Sequence, residues 1–235
     1  MASLSIAVIV PIGTGEAPPP ELFFERVRRA AAPVSLLAAA DARIRAETRE
    51  VFRRAGAALL TFEEIPRGAR LARAVQSLSL EESSLLLFLH ADTILPSGWE
   101  EAARAALTRG AAGGAFRLGY AGGGWRMTWV AWWANLRTWW TRVPYGDQAP
   151  FVRRDAYERL GGHRPWPLLE DWDFSRRLVA AEGRKRVALL RARVATSPRR
   201  YLEKGVWKTV RGNWEILRRV RGGESPVELA KRYRQ

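Results

Sequence analysis

The chain has 235 residues, enough for one elaborated domain and short for two. Hydrophobic residues at 47% and charged residues at 27% exclude a disordered chain; the absence of cysteine excludes a disulfide framework, a cysteine-ligated zinc site and thiol catalysis. The formal net charge is +15, carried by 35 arginines against 4 lysines, and a guanidinium pairs bidentately with phosphate or carboxylate, so anionic partners are expected.

The charge is uneven. Residues 1–120 hold 14 basic and 13 acidic side chains, whereas residues 121–235 hold 25 and 11. The two halves of this single domain are therefore expected to differ in task. His90 and His163 are the only histidines, too few for a histidine metal site or relay. The start MASLSIAVIVPIG lacks the basic stretch of a secretory leader, and no run approaches the roughly 18 apolar residues of a spanning helix. A cytoplasmic protein is expected, with association with the inner face of the membrane kept open.

The first half alternates strand and helix patterns. Ser5 to Val10 is a short β-branched run stopped by Pro11, followed by a Gly- and Pro-rich loop. Glu21 to Ala31 reads as a helix, Val34 to Ala39 as a strand ending before Asp41, and Glu47 to Ala55 as a helix. Ala57 to Phe62 is a third strand, Arg67 to Ser77 a third helix, and Leu85 to Leu89 a fourth strand running into His90-Ala91-Asp92. Ser97 with Glu100 forms a capping box for the next helix. This alternation predicts an α/β fold with a mostly parallel central sheet and flanking helices, whose ligand crevice lies at the carboxyl ends of the strands. Pro11, Asp41 and Asp92 all fall there and are expected to line one crevice.

The second half is less regular. Ala112 to Leu118 reads as a strand, and Trp125, Trp129, Trp132, Leu136 and Trp140 recur on one helical face. Tyr145-Gly146-Asp147-Gln148 is a turn before a strand at Ala149 to Val152. Asp171 to Ala181 is a helix closed by Gly183, Val187 to Thr196 a final strand, and Glu203 to Val220 a long basic amphipathic helix. Ser225-Pro226-Val227-Glu228 opens a last short helix, completing a helical C-terminal extension.

Each polar cluster admits two readings. Asp92 either caps a turn or holds a divalent cation on a diphosphate, since Mg²⁺ and Mn²⁺ take carboxylate, phosphate and water oxygens. Glu170, Asp171 and Asp173 either complement a helix dipole or supply a general base. Arg199-Arg200 is either a solvated basic loop or a diphosphate clamp. The tryptophan stripe is by default a core-facing helix; the alternative is an interfacial helix making peripheral membrane contact through Trp125–Trp140 and the basic C-terminal half.

In order, the strand ending IVP, the acid after strand two, Arg67-Gly68, LLFLHADT, GGAF, Asn135-Leu136-Arg137, PYGDQ, the Glu-Asp helix and TSPRR cover nearly the whole chain. Together they resemble family 2 of the GT-A glycosyltransferases, and within it the small bacterial subgroup named for arsenosugar biosynthesis. The resemblance implies a GT-A, Rossmann-like fold and inverting sugar transfer from a nucleoside-diphosphate sugar, a UDP-sugar first, to an acceptor hydroxyl with Mg²⁺ or Mn²⁺. It implies Asp171 as the catalytic base and Asp92 as the metal ligand. Pro11, Asp41, Arg67, His90, Asp92, Arg199 and Arg200 would bind the donor, and Tyr145, Asp147, Gln148, Glu170 and Trp172 the acceptor, a small molecule or a lipid-linked one. Residues 1–120 would then be the nucleotide-sugar half and residues 121–235 the acceptor half.

The sequence departs from that pattern in three places. The strand-one loop reads Pro11-Ile12-Gly13-Thr14-Gly15-Glu16, Ala42-Arg43-Ile44-Arg45 follows strand two, and His90 stands at the first acid of the DXD motif. Two other readings follow from the same residues: a catalytically weak nucleotide-sugar-binding protein, and a basic nucleic-acid-binding protein. No recognised nucleic-acid module supports the latter.

Overall fold

The computed structural model describes residues 5–31, 33–79 and 84–233. The first half contributes β1 (Ile6–Ile12), α1 (Glu21–Arg28), β2 (Val34–Asp41), α2 (Ala46–Arg54), β3 (Ala58–Phe62), α3 (Arg67–Gln76), β4 (Leu85–Phe88), β5 (Thr93–Ile94), α4 (Trp99–Thr108) and β6 (Gly113–Arg117). The second contributes α5 (Gly124–Thr141), β7 (Phe151–Arg153), α6 (Arg154–Arg159), α7 (Glu170–Glu182), β8 (Val187–Arg193), β9 (Ala195–Thr196), α8 (Arg199–Lys204), α9 (Val206–Arg221) and α10 (Pro226–Tyr233).

Seven strands form one sheet in the order β3-β2-β1-β4-β7-β6-β8. All neighbours are parallel except β7, which runs antiparallel to both β4 and β6. The β4–β7 pairing, Leu86 opposite Val152, joins the two halves of the chain in one sheet. β1 lies inside this sheet, with Ile9 opposite both Leu37 and Phe88, which is why its residues are apolar on both faces. Ile6, Val8 and Val10 pack on one side with Phe23, Phe52 and Trp99; Ala7 and Ile9 pack on the other with Leu71, Val75 and Phe174. The two-residue period of the strands thus feeds two cores, one beneath each helical layer.

Several boundaries differ from the sequence expectation. β1 continues through Pro11 to Ile12: the Leu89 N–H bonds the Ile9 carbonyl, so Pro11, two residues on, faces the same side, where the β4 pairing has already ended at Ile9 and no ladder donor is needed. The helix after β5 starts at Trp99 behind Gly98, which adopts φ +66°, and no side chain caps it. Ser97 instead accepts a hydrogen bond from Arg26, so the expected capping box is not formed. The final strand divides: β8 stays in the main sheet, while β9 leaves it to pair with β5. The long basic helix is broken at Gly205, φ +84°, into α8 and α9. Helix α6 was not expected, since its six residues are too few to show a period.

The largest correction concerns α5. Its buried residues are Met127, Val130, Ala131 and Thr138, and all six of its tryptophans are exposed, from 40% at Trp129 to 70% at Trp125. The stripe faces away from the core. Asn135 fixes this orientation by accepting from the Leu118 N–H at 2.7 Å and donating to the Leu118 carbonyl at 2.9 Å. No helix among the described residues is long and apolar enough to cross a membrane.

Candidate active site

A cleft of about 360 Å³ opens at the carboxyl ends of β1 and β4, lined among others by Pro11, Glu16, Arg67, His90, Asp92 and Arg199. The turn after β4 builds its floor. The Thr93 N–H bonds the His90 carbonyl at 3.0 Å, so Ala91 and Asp92 are carried round a tight bend. Thr93 then pairs with Thr196, and the Ser197 N–H bonds the Asp92 carbonyl at 3.0 Å. Those contacts bring Pro198 and Arg199 over Asp92, although the two segments are about a hundred residues apart in sequence. Burial pushes the Asp92 carboxyl above its ordinary value, against the pull of Thr93, Arg199 and Arg67. Glu16 is raised likewise by burial, with Arg67 opposing and Asp92 reinforcing.

Arg67 is the hub. It begins α3, and its guanidinium lies 2.7 Å from His90 Nε2 and 2.5 Å from Glu170 Oε1. Arginine only donates, so His90 Nε2 must be the acceptor and the ring carries its proton on Nδ1. Burial and the neighbouring Arg67 hold the His90 pKa well below the usual imidazole range, so His90 is neutral. Burial would lower the Arg67 pKa, but Glu170, Asp171 and Glu16 outweigh it and the net shift is upward. Gly68 lets α3 come this close: its N–H bonds the Trp166 carbonyl at 3.0 Å, and a Cβ there would stand 2.0 Å from the Arg164 carbonyl oxygen.

Asp171, in the first turn of α7, meets the turn at residues 145–148. Its Oδ2 accepts from the Gly146 N–H and its Oδ1 from the Trp172 N–H at 2.7 Å, so each oxygen keeps one lone pair. A Cβ on Gly146 would lie 2.3 Å from His90 Nε2 and 2.8 Å from Asp171 Oδ2. Gly146 therefore sits between the cleft floor and the carboxylate of α7. Asp147, half-buried beside it, is pushed up to about 6 by burial, with Arg137 opposing and Asp171 and Asp92 adding to the rise.

The remaining expected residues divide. Arg199 lines the cleft, while Arg200 is exposed on α8 and Asp41 lies outside the lining. The Asp41 carboxylate accepts from the Arg43 backbone at 3.0 Å, so the single crevice expected for Pro11, Asp41 and Asp92 holds only the first and last. Gln148 is fully buried; its Oε1 accepts from Thr138 at 2.7 Å and its Nε2 donates to the Phe116 carbonyl at 3.4 Å. These bonds tie the turn to α5 and β6. Glu170 is equally buried and holds Arg67. Trp172 is buried with the guanidinium groups of Arg176 and Arg221 over its ring, and Tyr145 is covered by Arg137 at 3.4 Å.

Sequence reasoning missed Glu16, Arg70 and Arg137. Arg70 follows Arg67 by three residues on one helix face, and Arg137 stands inside the Asn135-Leu136-Arg137 segment; both spacings were available as signals. Among the described residues no cluster of three or more His, Asp or Glu could hold a metal. Asp92, with Glu16 across the cleft, is a one- or two-carboxylate set that suits a Mg²⁺ or Mn²⁺ ion whose other ligands are diphosphate oxygens and water.

The parallel run β3-β2-β1-β4, the antiparallel β7 and the crevice beyond β4 define the GT-A fold of glycosyltransferases. The mannosyltransferase PcManGT from Pyrobaculum calidifontis, solved with GDP-Man and Mn²⁺, aligns with 78% of this chain at a TM-score of 0.55 and 19% identity. Glucosyl-3-phosphoglycerate synthase from Mycobacterium tuberculosis, solved with Mn²⁺, UDP and phosphoglyceric acid, aligns with 83% at 0.56 and 18% identity. S. aureus TarS aligns with 83% at 0.54 and 13% identity. The chain spans 56%, 71% and 37% of those three proteins, and the likeness is one of fold. No protein-family model and no curated protein sequence matches it.

Proposed function

We propose that the protein transfers a sugar from a nucleoside-diphosphate sugar, a UDP-sugar first, to an acceptor hydroxyl with inversion. One observation carries this reading: Asp92, His90, Arg67 and Arg199 line one cleft, and the Asp171 carboxylate lies just outside that lining, bonded to Gly146, which packs against His90. The motif order extends the proposal to family 2 and its arsenosugar-named subgroup.

In this mechanism Asp92, with Glu16 near it, would hold Mg²⁺ or Mn²⁺ on the donor diphosphate. When bound, that ion offsets charge on the leaving group. Arg67 and Arg199 supply fixed positive charge at the same place, where the transition state builds negative charge. His90, neutral and with Nδ1 protonated, orients Arg67 without adding a charge of its own. Asp171 accepts the proton of the acceptor hydroxyl, whose oxygen bonds the anomeric carbon as the bond from that carbon to the diphosphate oxygen breaks. The leaving nucleoside diphosphate takes the electron pair. Two backbone N–H groups hold the Asp171 carboxylate in one orientation throughout.

The test has two arms. Calorimetric titration with UDP, with and without Mg²⁺, reads donor-site binding; transfer from a panel of UDP-, GDP- and dTDP-sugars reads chemistry. Asp171→Asn should keep magnesium-dependent UDP binding and lose about 10²–10⁴-fold in turnover. Asp92→Ala should lose the magnesium dependence. Wild-type turnover in the Asp171→Asn protein, or unchanged magnesium-dependent affinity in Asp92→Ala, would refute the respective role.

A further inference from the structure

We propose that the outward faces of α5 and α9 form a docking surface for an anionic lipid bilayer. Trp125, Trp129, Trp132, Trp133, Leu136, Trp139 and Trp140 fall within an arc of about 120° on α5 at 3.6 residues per turn. All seven are exposed. Trp207 and Trp214, seven residues apart on one face of α9, are also exposed, at 58% and 71%. Trp129 touches Trp207 with ring centroids 5.3 Å apart, so the two helices present one surface. Contiguous exposed apolar area of this kind marks an interaction site, because leaving it in water is costly.

The charge on and beside the stripe selects the occupant. Lys208 and Arg211 lie on the exposed face of α9 between and beside its tryptophans, and Arg126 borders Trp125. Among the described residues neither Lys208 nor Arg211 has an acidic partner within 4.0 Å. Tryptophan favours the headgroup depth of a bilayer, and lysine and arginine beside it favour anionic headgroups. A second copy of the chain would bring the same cationic half against itself, with both surfaces carrying positive charge. Single-stranded nucleic acid would need open ring faces in a cationic groove. Here the stripe is an outward helix face, and its rings are packed edge-to-face against each other at Trp129–Trp133, Trp132–Trp133 and Trp129–Trp207. With no helix able to cross a membrane among the described residues, the contact is one of lying on the surface.

The experiment is flotation of the full chain with vesicles of phosphatidylcholine alone or with 30% phosphatidylglycerol, and quenching of its tryptophan fluorescence by brominated acyl chains. Expected is partition at least tenfold stronger onto the anionic vesicles, with quenching. Lys208→Gln with Arg211→Gln should weaken it about 25-fold, near fivefold for each cation removed. Trp132→Ser with Trp139→Ser should weaken it tenfold or more while thermal melting stays in place, since both rings are outside the core. No binding of the wild type to anionic vesicles, or binding without quenching, would overturn the proposal. So would a concentration-dependent dimer abolished by the tryptophan substitutions, or displacement from vesicles by an oligonucleotide at equal charge.

Discussion

Replacing Gly146 by alanine would add a methyl carbon 2.3 Å from His90 Nε2 and 2.8 Å from Asp171 Oδ2, where ordinary contact begins at 3.4 Å. Relief requires about 1 Å of separation between the cleft floor and the carboxylate of α7. Neither neighbour is free to yield cheaply. His90 is held by Arg67 at 2.7 Å, and Asp171 is held by the Gly146 and Trp172 amides. Misplacement by 1 Å at a reacting group costs about 10²-fold in rate, whereas overpacking of this kind costs about 1–3 kcal/mol of stability. For a domain of this size that is a fall of roughly 2–12 °C in melting temperature. Gly146→Ala should therefore fold, weaken magnesium-dependent UDP binding through the displaced His90–Arg67 contact, and lose more than that, about 100-fold, in kcat. The assays are calorimetry for binding, product release under saturating donor for kcat, and a thermal melt. A variant that keeps wild-type kcat would show that the Gly146–Asp171 contact does not set the reacting geometry. One that loses UDP binding and kcat equally would place Gly146 in the donor site instead.

The other predictions concern stability and charge. Asp147 has its carboxyl raised from 3.8 to about 6, chiefly by burial. The folded state thus holds this proton more tightly: the contribution is fully present below pH 3.8, is lost as pH rises through about 6, and thereafter the charge costs at most about 3 kcal/mol. Asp147→Asn should raise the melting temperature more at pH 8 than at pH 5; an equal rise at both would refute the burial of a charge. Arg67→Ala leaves the Glu170 carboxylate buried without its cation and should cost about 3 kcal/mol, less than a fully buried pair because Arg67 is partly exposed. Adding Glu170→Gln should restore most of the stability in denaturant titration without restoring donor affinity, and an additive double mutant would deny the pair any coupling. Asn135→Ala orphans the N–H and carbonyl of buried Leu118 and should cost about 2–4 kcal/mol by urea unfolding; under 1 kcal/mol would mean those groups find water.

Local patterns were readable where chemistry is local. The apolar runs at β1, β2 and β4 and the helices between them were placed to within a few residues, because burial on both faces leaves an unbroken β-branched or aliphatic string; β3, an edge strand with no fully buried residue, was read from its short apolar run alone. The turn after β4 announced itself in His90-Ala91-Asp92. The α5 stripe shows the limit. Periodicity tells that one helix face is apolar, but the face opposite, with Met127, Ala131, Ala134 and Thr138, is also small and apolar enough to pack. Which face is buried depends on Asn135 clamping Leu118, a contact spanning 17 residues. Gly205 was invisible as a break because a lone glycine inside a helical pattern is tolerated, and only its φ of +84° shows that the chain turns there. The resemblance gives Gln148 and Glu170 to the acceptor, and nothing in their spacing announces that both are buried. Their burial follows from partners on α5 and α3 that no spacing rule brings together.

The cleft and the tryptophan face share their supports, and that links the two proposals physically. Ala121, just before α5, lines the cleft, and Pro198, just before α8, would contact a Cβ on Gly123 at 3.3 Å. The Tyr120 and Tyr201 rings meet edge-to-face at 5.6 Å, tying the start of α5 to α8. Arg199 enters the cleft from the first residue of α8, and Trp207 lies just beyond the Gly205 joint on α9, touching Trp129. At its far end α9 places Arg221 over Trp172, next to Asp171. The segment that brings Arg199 over Asp92 is therefore braced between the aromatic face and α7. A bilayer bound to that face would hold α5 and α9 against each other and so restrict the element from which Arg199 projects.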